Sequence, residues 1–323
     1  MSCNYPIKFE PILQDKIWGG TKLNQLFNKK STAPNVGESW EISTVKGAVS
    51  VVANGAYKGK DLVLLIKECK GNLLGDNIYK QFGNEFPLLI KFIDAKTDLS
   101  IQLHPDDALA KKRHNSFGKT EMWYVMQADE DARLIVGFNQ AVNKQLYLEK
   151  LAKDELVNIL NSETVEHGDT FFIPTGRIHA IGGGVLVAEI QQTSDITYRV
   201  FDWNRVDDKG NGRELHTELA LDALDFSHQE SYKTVYEQAE TVKLANCPYF
   251  TTNLLNISTK QEKVNNLDSF VIYMCVKGAV SIEYNDNEQI VLNIGETILI
   301  PANLKQYSVI PLEESELLEV FIE

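Results

Sequence analysis

The stretch Gly168-Asp-Thr-Phe-Phe-Ile-Pro174-Thr-Gly176-Arg-Ile-His179 constrains the fold more than any other, because it fixes a histidine behind a strand and a tight turn. Gly168 permits the positive φ of an entry turn, and Thr170 to Ile173 carry the β-branched and aromatic side chains of a short strand. Pro174 has no N–H with which to continue a ladder, and Gly176 allows the reversal that aims His179 back at the sheet. A histidine held in this way is a candidate metal ligand, provided other donors can reach it.

Two upstream segments supply them. Ser100-Ile-Gln102-Leu-His104-Pro-Asp-Asp alternates, and successive strand residues face opposite sides, so Ser100, Gln102 and His104 share one face. Lys119-Thr-Glu121-Met-Trp123-Tyr-Val opens a second apolar strand on a carboxylate. The His104 and His179 imidazoles, the Glu121 carboxylate and the Gln102 amide oxygen form a mixed nitrogen and oxygen set. It suits a divalent ion such as zinc, with positions left for water or substrate. His-Pro-Asp-Asp also reads as a turn leading into a helix N-cap.

The pattern G-x5-P-x-G-x2-H resembles the second metal motif of the cupin β-barrels. The segment after His179 extends the resemblance with Gly182-Gly-Gly184, Glu189 and Ser194-Asp195-Ile-Thr-Tyr198-Arg199. With Trp18-Gly19-Gly20, Gly37-Glu38-Ser-Trp40-Glu-Ile-Ser43 and Phe86-Pro-Leu-Leu-Ile-Lys91, it is similar to the type I mannose-6-phosphate isomerases of the short bacterial kind, over about the first two hundred residues and a weaker tail. Longer members carry Thr-Pro-Lys after the arginine. Here that place reads Phe201-Asp-Trp203, so the lysine is missing, and Arg205 is the candidate to take over its role.

The resemblance implies a zinc-dependent isomerase that interconverts mannose 6-phosphate and fructose 6-phosphate through an enediol, with one Zn2+ per chain on His104, Glu121, His179 and Gln102. Moving a proton between C1 and C2 develops negative charge on the sugar oxygens, which a metal facing them stabilises. An acid and a base must lie within hydrogen-bond reach; Glu189 and Asp195 are candidates by position, with Lys119 as a further one. The family puts an active-site arginine where Arg199 stands, and both a transition-state role and a bidentate hold on phosphate stay open. Lys91, Lys119 and Arg199 give a phosphorylated substrate a local cationic pocket, and Ser100 and Trp18 join Lys91 as expected substrate contacts. A cupin oxygenase would use the same two-histidine, one-carboxylate ligation with iron, and a noncatalytic sugar-binding cupin would need no ligands. The phosphosugar motifs from Glu189 to Arg199 count against the first, and the retained donor set counts against the second.

The rest of the chain sets bounds. A net charge of −13 speaks against nonspecific nucleic-acid binding, which clustered Lys and Arg carry. Cys3, Cys69, Cys247 and Cys275 make no C-x-x-C pair, so neither a disulfide framework nor a thiolate zinc site is expected. No signal peptide and no membrane span are legible, which fits a cytoplasmic enzyme, monomeric or dimeric. Short β-runs dominate, with helices expected at about 60–70, 76–83, 143–161 and 216–227, the third as an insertion on a barrel. Gly295-Glu-Thr-Ile-Leu-Ile-Pro301-Ala-Asn303-Leu-Lys-Gln306 aligns without gaps on Gly168 to His179, with Asn303 available for the left-handed turn and Gln306 in the place of the histidine. The expected fold is therefore mainly β. It comprises two cupin-like jelly-roll barrels with a small helical insertion, a metal-binding domain over 1–235 and a degenerate one over 236–323.

Overall fold

A computed structural model describes residues 3–206 and 209–323. Its strands form two stacked two-sheet β-sandwiches, in keeping with the two jelly-roll units expected. The first pairs a five-stranded sheet, in the spatial order Leu160–Thr164, Arg133–Phe138, His179–Ile181, Ile101–Leu103, Tyr198–Phe201, with a six-stranded sheet. The second sheet runs Thr170–Ile173, Glu121–Ala128, Val185–Gln192, Leu88–Ala95, Ile12–Gly20, Val36–Ile42. The second sandwich, from Thr241–Asn246 onward, pairs five strands with four.

Strict alternation makes the six-stranded sheet serve two cores. Lys91, Ile93, Trp123, Val125, Val187 and Glu189 face into the first sandwich. Ile90, Phe92, Met122, Tyr124, Ala188 and Ile190 face the other way. They join Leu254, Ile272, Met274 and Leu318 of the second sandwich in one continuous apolar cluster. At the N-terminus, Ile7 exchanges both backbone hydrogen bonds with Leu299 at 2.8 Å, so the start of the chain is stitched to the second sandwich.

The helices cover the edges. Lys144–Ala152 packs Tyr147 onto the outer face of the first five-stranded sheet, with Asn143 capping it by accepting from the Leu146 N–H at 2.9 Å. The expected single helix over 143–161 breaks at Asp154, whose φ is 56°, and resumes as a 3-10 turn, Leu156–Ile159. Helices at Leu62–Cys69, Asp76–Phe82 and Thr217–Ala223 fall where the periodicity puts them. Lys22–Phe27 has no counterpart in the sequence reading, whereas Asp107–His114 follows the N-cap read in His104-Pro-Asp-Asp. The latter has hardly any apolar stripe to see. It is held by its Asp106 cap and by four basic residues in the last turn, which face the negative end of the helix dipole.

Two expectations need correction. Cys3 and Cys69 form a disulfide with Cα atoms 6.1 Å apart, where the spacing suggested no pairing. The N-terminal segment folds back over the end of Leu62–Cys69, a long-range contact that leaves no mark in the sequence. In the internal repeat, Gly168 and Gly295 both take positive φ, 91° and 75°, and both precede a four-residue strand. Gly176 is left-handed at φ 82°, but Asn303 is not. The Ala302 and Asn303 N–H groups instead bond the Leu73 and Asn72 carbonyls at 2.9 and 3.0 Å, so the second turn is shaped by docking onto the short helix Gly71–Leu74.

Candidate active site and metal centre

Cross-strand pairing builds the site as two facing rows. On the five-stranded sheet, His179 lies opposite Gln102, and Gln102 lies opposite Arg199 on the edge strand. On the six-stranded sheet, Trp123 pairs with Glu189, Glu189 with Lys91, and Lys91 with Trp40. Neighbouring strands lie about 4.8 Å apart, so each row is a line of side chains across its sheet. The rows enclose a cleft of about 440 Å³ that also takes in Trp18, Ser100, Lys119 and Asp195.

At one end, His104, Glu121 and His179 bring their donor atoms within 4.8 Å of one another, all three buried. Glu121 lies 3.5 Å from His104 Nε2 through one oxygen and 3.4 Å from His179 Nε2 through the other. The turn reading of His104-Pro-Asp-Asp holds, since Asp106 caps the following helix, and His104 itself points inward beside Glu121 and His179. Gly176 links the two histidine segments: its N–H donates to the His104 carbonyl at 2.8 Å. A side chain there would meet the Ala223 carbonyl oxygen at 2.5 Å.

Both imidazoles are set in the same tautomer. His104 Nδ1–H donates to the Ile196 carbonyl and His179 Nδ1–H to the Arg177 carbonyl, each at 2.8 Å, which leaves both Nε2 lone pairs aimed at Glu121. Burial, reinforced by the Lys119 ammonium, holds His104 well below the usual histidine range. Burial brings His179 down to about 4. Glu121 is pushed by burial to about 7, against the pull of Lys119, whose Nζ lies 3.2 Å away without hydrogen-bond alignment. His104 Nε2 and both Glu121 oxygens find no hydrogen-bond partner, an arrangement that costs on the order of 1–3 kcal/mol per group unless something fills it. Two neutral nitrogen donors and a carboxylate with converging orphan lone pairs fit a divalent cation. Gln102 turns its amide nitrogen to His179 Nε2 at 3.5 Å and its oxygen to Ser100 Oγ at 3.3 Å. Half a turn of the amide exchanges the two, and Ser100 Oγ can accept as well as donate.

The middle of the cleft is a closed charge network. Glu189 accepts from Lys91 Nζ at 2.8 Å and from Trp123 Nε1 at 2.9 Å. Burial alone would raise its pKa, but Lys91 and Lys119 outweigh that and hold it below the carboxylate range. Burial alone would lower Lys91, but Glu189 and Glu38 outweigh that and it stays ionised. Its ammonium also bonds Gln191 at 2.7 Å and sits 5.3 Å from the Trp40 ring.

Arg199 is placed differently. Its Nε donates to Ser100 Oγ at 3.2 Å and Nη1 to the Glu214 carbonyl at 2.9 Å, and it forms no ion pair among the described residues. Asp195 is exposed at the rim. Trp18 is buried in the wall against Gly37, where a Cβ would lie 2.7 Å from the indole, so Gly37 is the residue that lets the wall close. Arg205 does not line the cleft. It turns to Asp202 and to the Asp98 carbonyl.

The structure adds Gln14, Lys16, Glu38, Trp40, Thr197 and Arg213 to the walls, none of them foreseen as site residues. Gln14 and Lys16 share the alternation of Trp18, and Glu38 shares that of Trp40, so a strand-face argument could have found them. Arg213 comes from an irregular loop and carries no such signal.

A family model described as phosphomannose isomerase type I, catalytic domain, matches residues 7–133, and one described as mannose-6-phosphate isomerase, cupin domain, matches 240–311. The mannose-6-phosphate isomerase of Streptococcus mutans is 35% identical over 309 residues, covering 94% of each chain. Mannose-6-phosphate isomerase ManA of Bacillus subtilis is 37% identical over 80% of this chain and 82% of its own. The crystal structure of a mannose 6-phosphate isomerase from Bacillus subtilis superposes with a TM-score of 0.88 at 31% identity, covering 98% of this chain and 99% of that one. Sequence, fold and the two-histidine, one-carboxylate group thus agree, and the chain belongs to the type I phosphomannose isomerase family.

Proposed function

We propose that the cleft interconverts mannose 6-phosphate and fructose 6-phosphate through an enediol, with zinc held by His104, Glu121 and His179 and with Gln102 as fourth donor. The observation that carries this is the set of orphaned, converging lone pairs on His104 and Glu121 at the end of a cleft lined by Arg199. A divalent ion bound there supplies Lewis-acid stabilisation to sugar oxygens as they gain negative charge. The names of the family's curated members support the choice of substrate.

The chain's own residues divide the remaining work. Arg199, with no carboxylate paired to it among the described residues, stabilises an enediolate lying between the two rows. Glu189 has both oxygens occupied and is held ionised, so its part is to fix Lys91 and Trp123 in the opposite wall. Lys119 and Asp195 line the same cleft and are the groups we assign to proton transfer between C1 and C2. Trp18, Trp40 and Trp123 give the sugar's C–H faces apolar surface and limit water. Incubation of the purified protein with mannose 6-phosphate, followed by assay for fructose 6-phosphate, tests the reading directly. No product under metal-replete conditions ends it.

A further inference from the structure

We propose that Arg213 binds the phosphoryl group of the substrate at the end of the cleft away from the metal-ligand group, so that phosphate recognition and Arg199 chemistry fall to different arginines. The inference rests on the sugar-phosphate reading above.

Position comes first. Along the five-stranded sheet, His179, Gln102 and Arg199 follow one another, and Arg199 stands on the edge strand, Tyr198–Phe201. The chain beyond that strand turns at Asp202 and returns to bring Arg213 into the cleft wall. A ligand with its reacting carbons at His104, Glu121 and His179 and its long axis along this row reaches Arg213 with its far end.

Charge points the same way. The Lys91 and Lys119 ammoniums lie against Glu189 and Glu121, and Lys16 is 3.5 Å from Glu38. At the far end the balance is different. Arg199, Arg205 and Arg213 surround one buried carboxylate, Asp202, and the Glu214 side chain is 84% exposed and screened by water. Of the three, Arg199 and Arg213 line the cleft while Arg205 is turned away onto Asp202, so among the described residues the cationic groups offered to a ligand at this end are Arg199 and Arg213. A phosphomonoester carries about −1.5 to −2 at pH 7 and complements them.

Geometry then selects among the three arginines. Arg205 is directed to Asp202 and the Asp98 carbonyl and is not in the wall. Arg213 gives Nε to one Asp202 oxygen at 2.7 Å and one terminal nitrogen to the other at 2.5 Å. That fork holds the guanidinium in one plane, and Nη1, which has no hydrogen-bond partner among the described residues, is left for a ligand. Asp202 is the positioning residue for this contact, and preorganisation of this kind raises affinity by removing the entropy of ordering a free side chain.

The test compares wild type with Arg213→Met, Arg213→Lys and Arg205→Met, reading KM and kcat for mannose 6-phosphate and the inhibition constant of inorganic phosphate. The expected result for Arg213→Met is a rise of about tenfold or more in both KM and the phosphate constant, with kcat within about threefold. Arg213→Lys recovers part of the loss, and Arg205→Met changes both constants by less than about twofold. An unchanged phosphate constant in Arg213→Met overturns the proposal. So does an equal effect of Arg205→Met, which would mean that Asp202 and the loop, not the contact, were being measured. If Arg213→Met does not fold, the same two readings on Arg213→Lys decide. If wild type fails to turn over mannose 6-phosphate, the isomerase reading falls separately. The clamp is then judged by whether inorganic phosphate raises the Tm of wild type and not that of the Arg213 variants.

Discussion

The Lys91 ammonium lies 2.8 Å from the Glu189 carboxylate, and both side chains are closed off from solvent. Removing one partner of a buried pair strands the other charge, whereas replacing both does not. Lys91→Met is expected to destabilise the protein by about 3–5 kcal/mol, and Lys91→Met with Glu189→Gln by much less. Urea denaturation of the two variants decides, and a loss below about 1 kcal/mol in the single variant would show that the pair is not needed.

The orphaned atoms of His104 and Glu121 lead to a stoichiometry. Protein purified with metal present should contain one divalent ion per chain, and His179→Ala should contain far less. Chelation should abolish turnover while the far-ultraviolet circular dichroism stays unchanged, because the sandwiches have their own apolar cores. Two ions per chain, or full activity without any, would refute the assignment.

Among the described residues Arg199 has only neutral hydrogen-bond partners, Ser100 Oγ and the Glu214 carbonyl. Arg199→Lys keeps a charge but loses the planar fork, and kcat should fall about 10²-fold, equivalent to roughly 2.7 kcal/mol of transition-state stabilisation. Near-normal kcat at saturating substrate would move the step to Lys119 or Asp195.

The two sandwiches are also joined by a titrating pair. His167 Nε2 faces Glu316 at 3.1 Å, and the same carboxylate oxygen accepts from the Tyr124 hydroxyl at 2.8 Å. The bond to Glu316 raises the His167 pKa, so its contribution is fully present below the unfolded value of about 6.5 and fades as pH climbs through the raised one. The bond to His167 brings Glu316 down to about 2, so its contribution is present above an unfolded value of about 4.3 and fades as pH falls through about 2. The stability difference between wild type and Glu316→Gln should therefore be largest between roughly pH 4.5 and 6.5. Thermal melts across pH 4 to 9 that show a constant difference would exclude this coupling.

The parts of the site that could be read beforehand are those in which strand alternation or a tight turn fixes direction. Ser100, Gln102 and His104 lie on one face because two-residue periodicity leaves no other choice, and Gly176 turns His179 inward as expected. Arg213 was illegible because only the loop after Asp202 brings it to the cleft. The Cys3–Cys69 bridge and the Asn303 turn were misread for a related cause: each is decided by a segment distant in sequence, the N-terminal arm in one case and Gly71–Leu74 in the other. The helix Asp107–His114 was legible only at its start, from the cap in His104-Pro-Asp-Asp, because capping and charge rather than apolar periodicity hold it together.

The six-stranded sheet gives one face to Lys91, Trp123 and Glu189 and the other to a core shared with Ile272, Met274 and Leu318. A substitution behind the wall, at Phe92 or Met122, therefore acts on the same backbone that sets the register of Lys91, Trp123 and Glu189. The second sandwich works as a mould: its own copy of the turn ends in Gln306, which does not line the cleft, while the apolar residues it packs against alternate with Lys91 and Glu189 along the same strands.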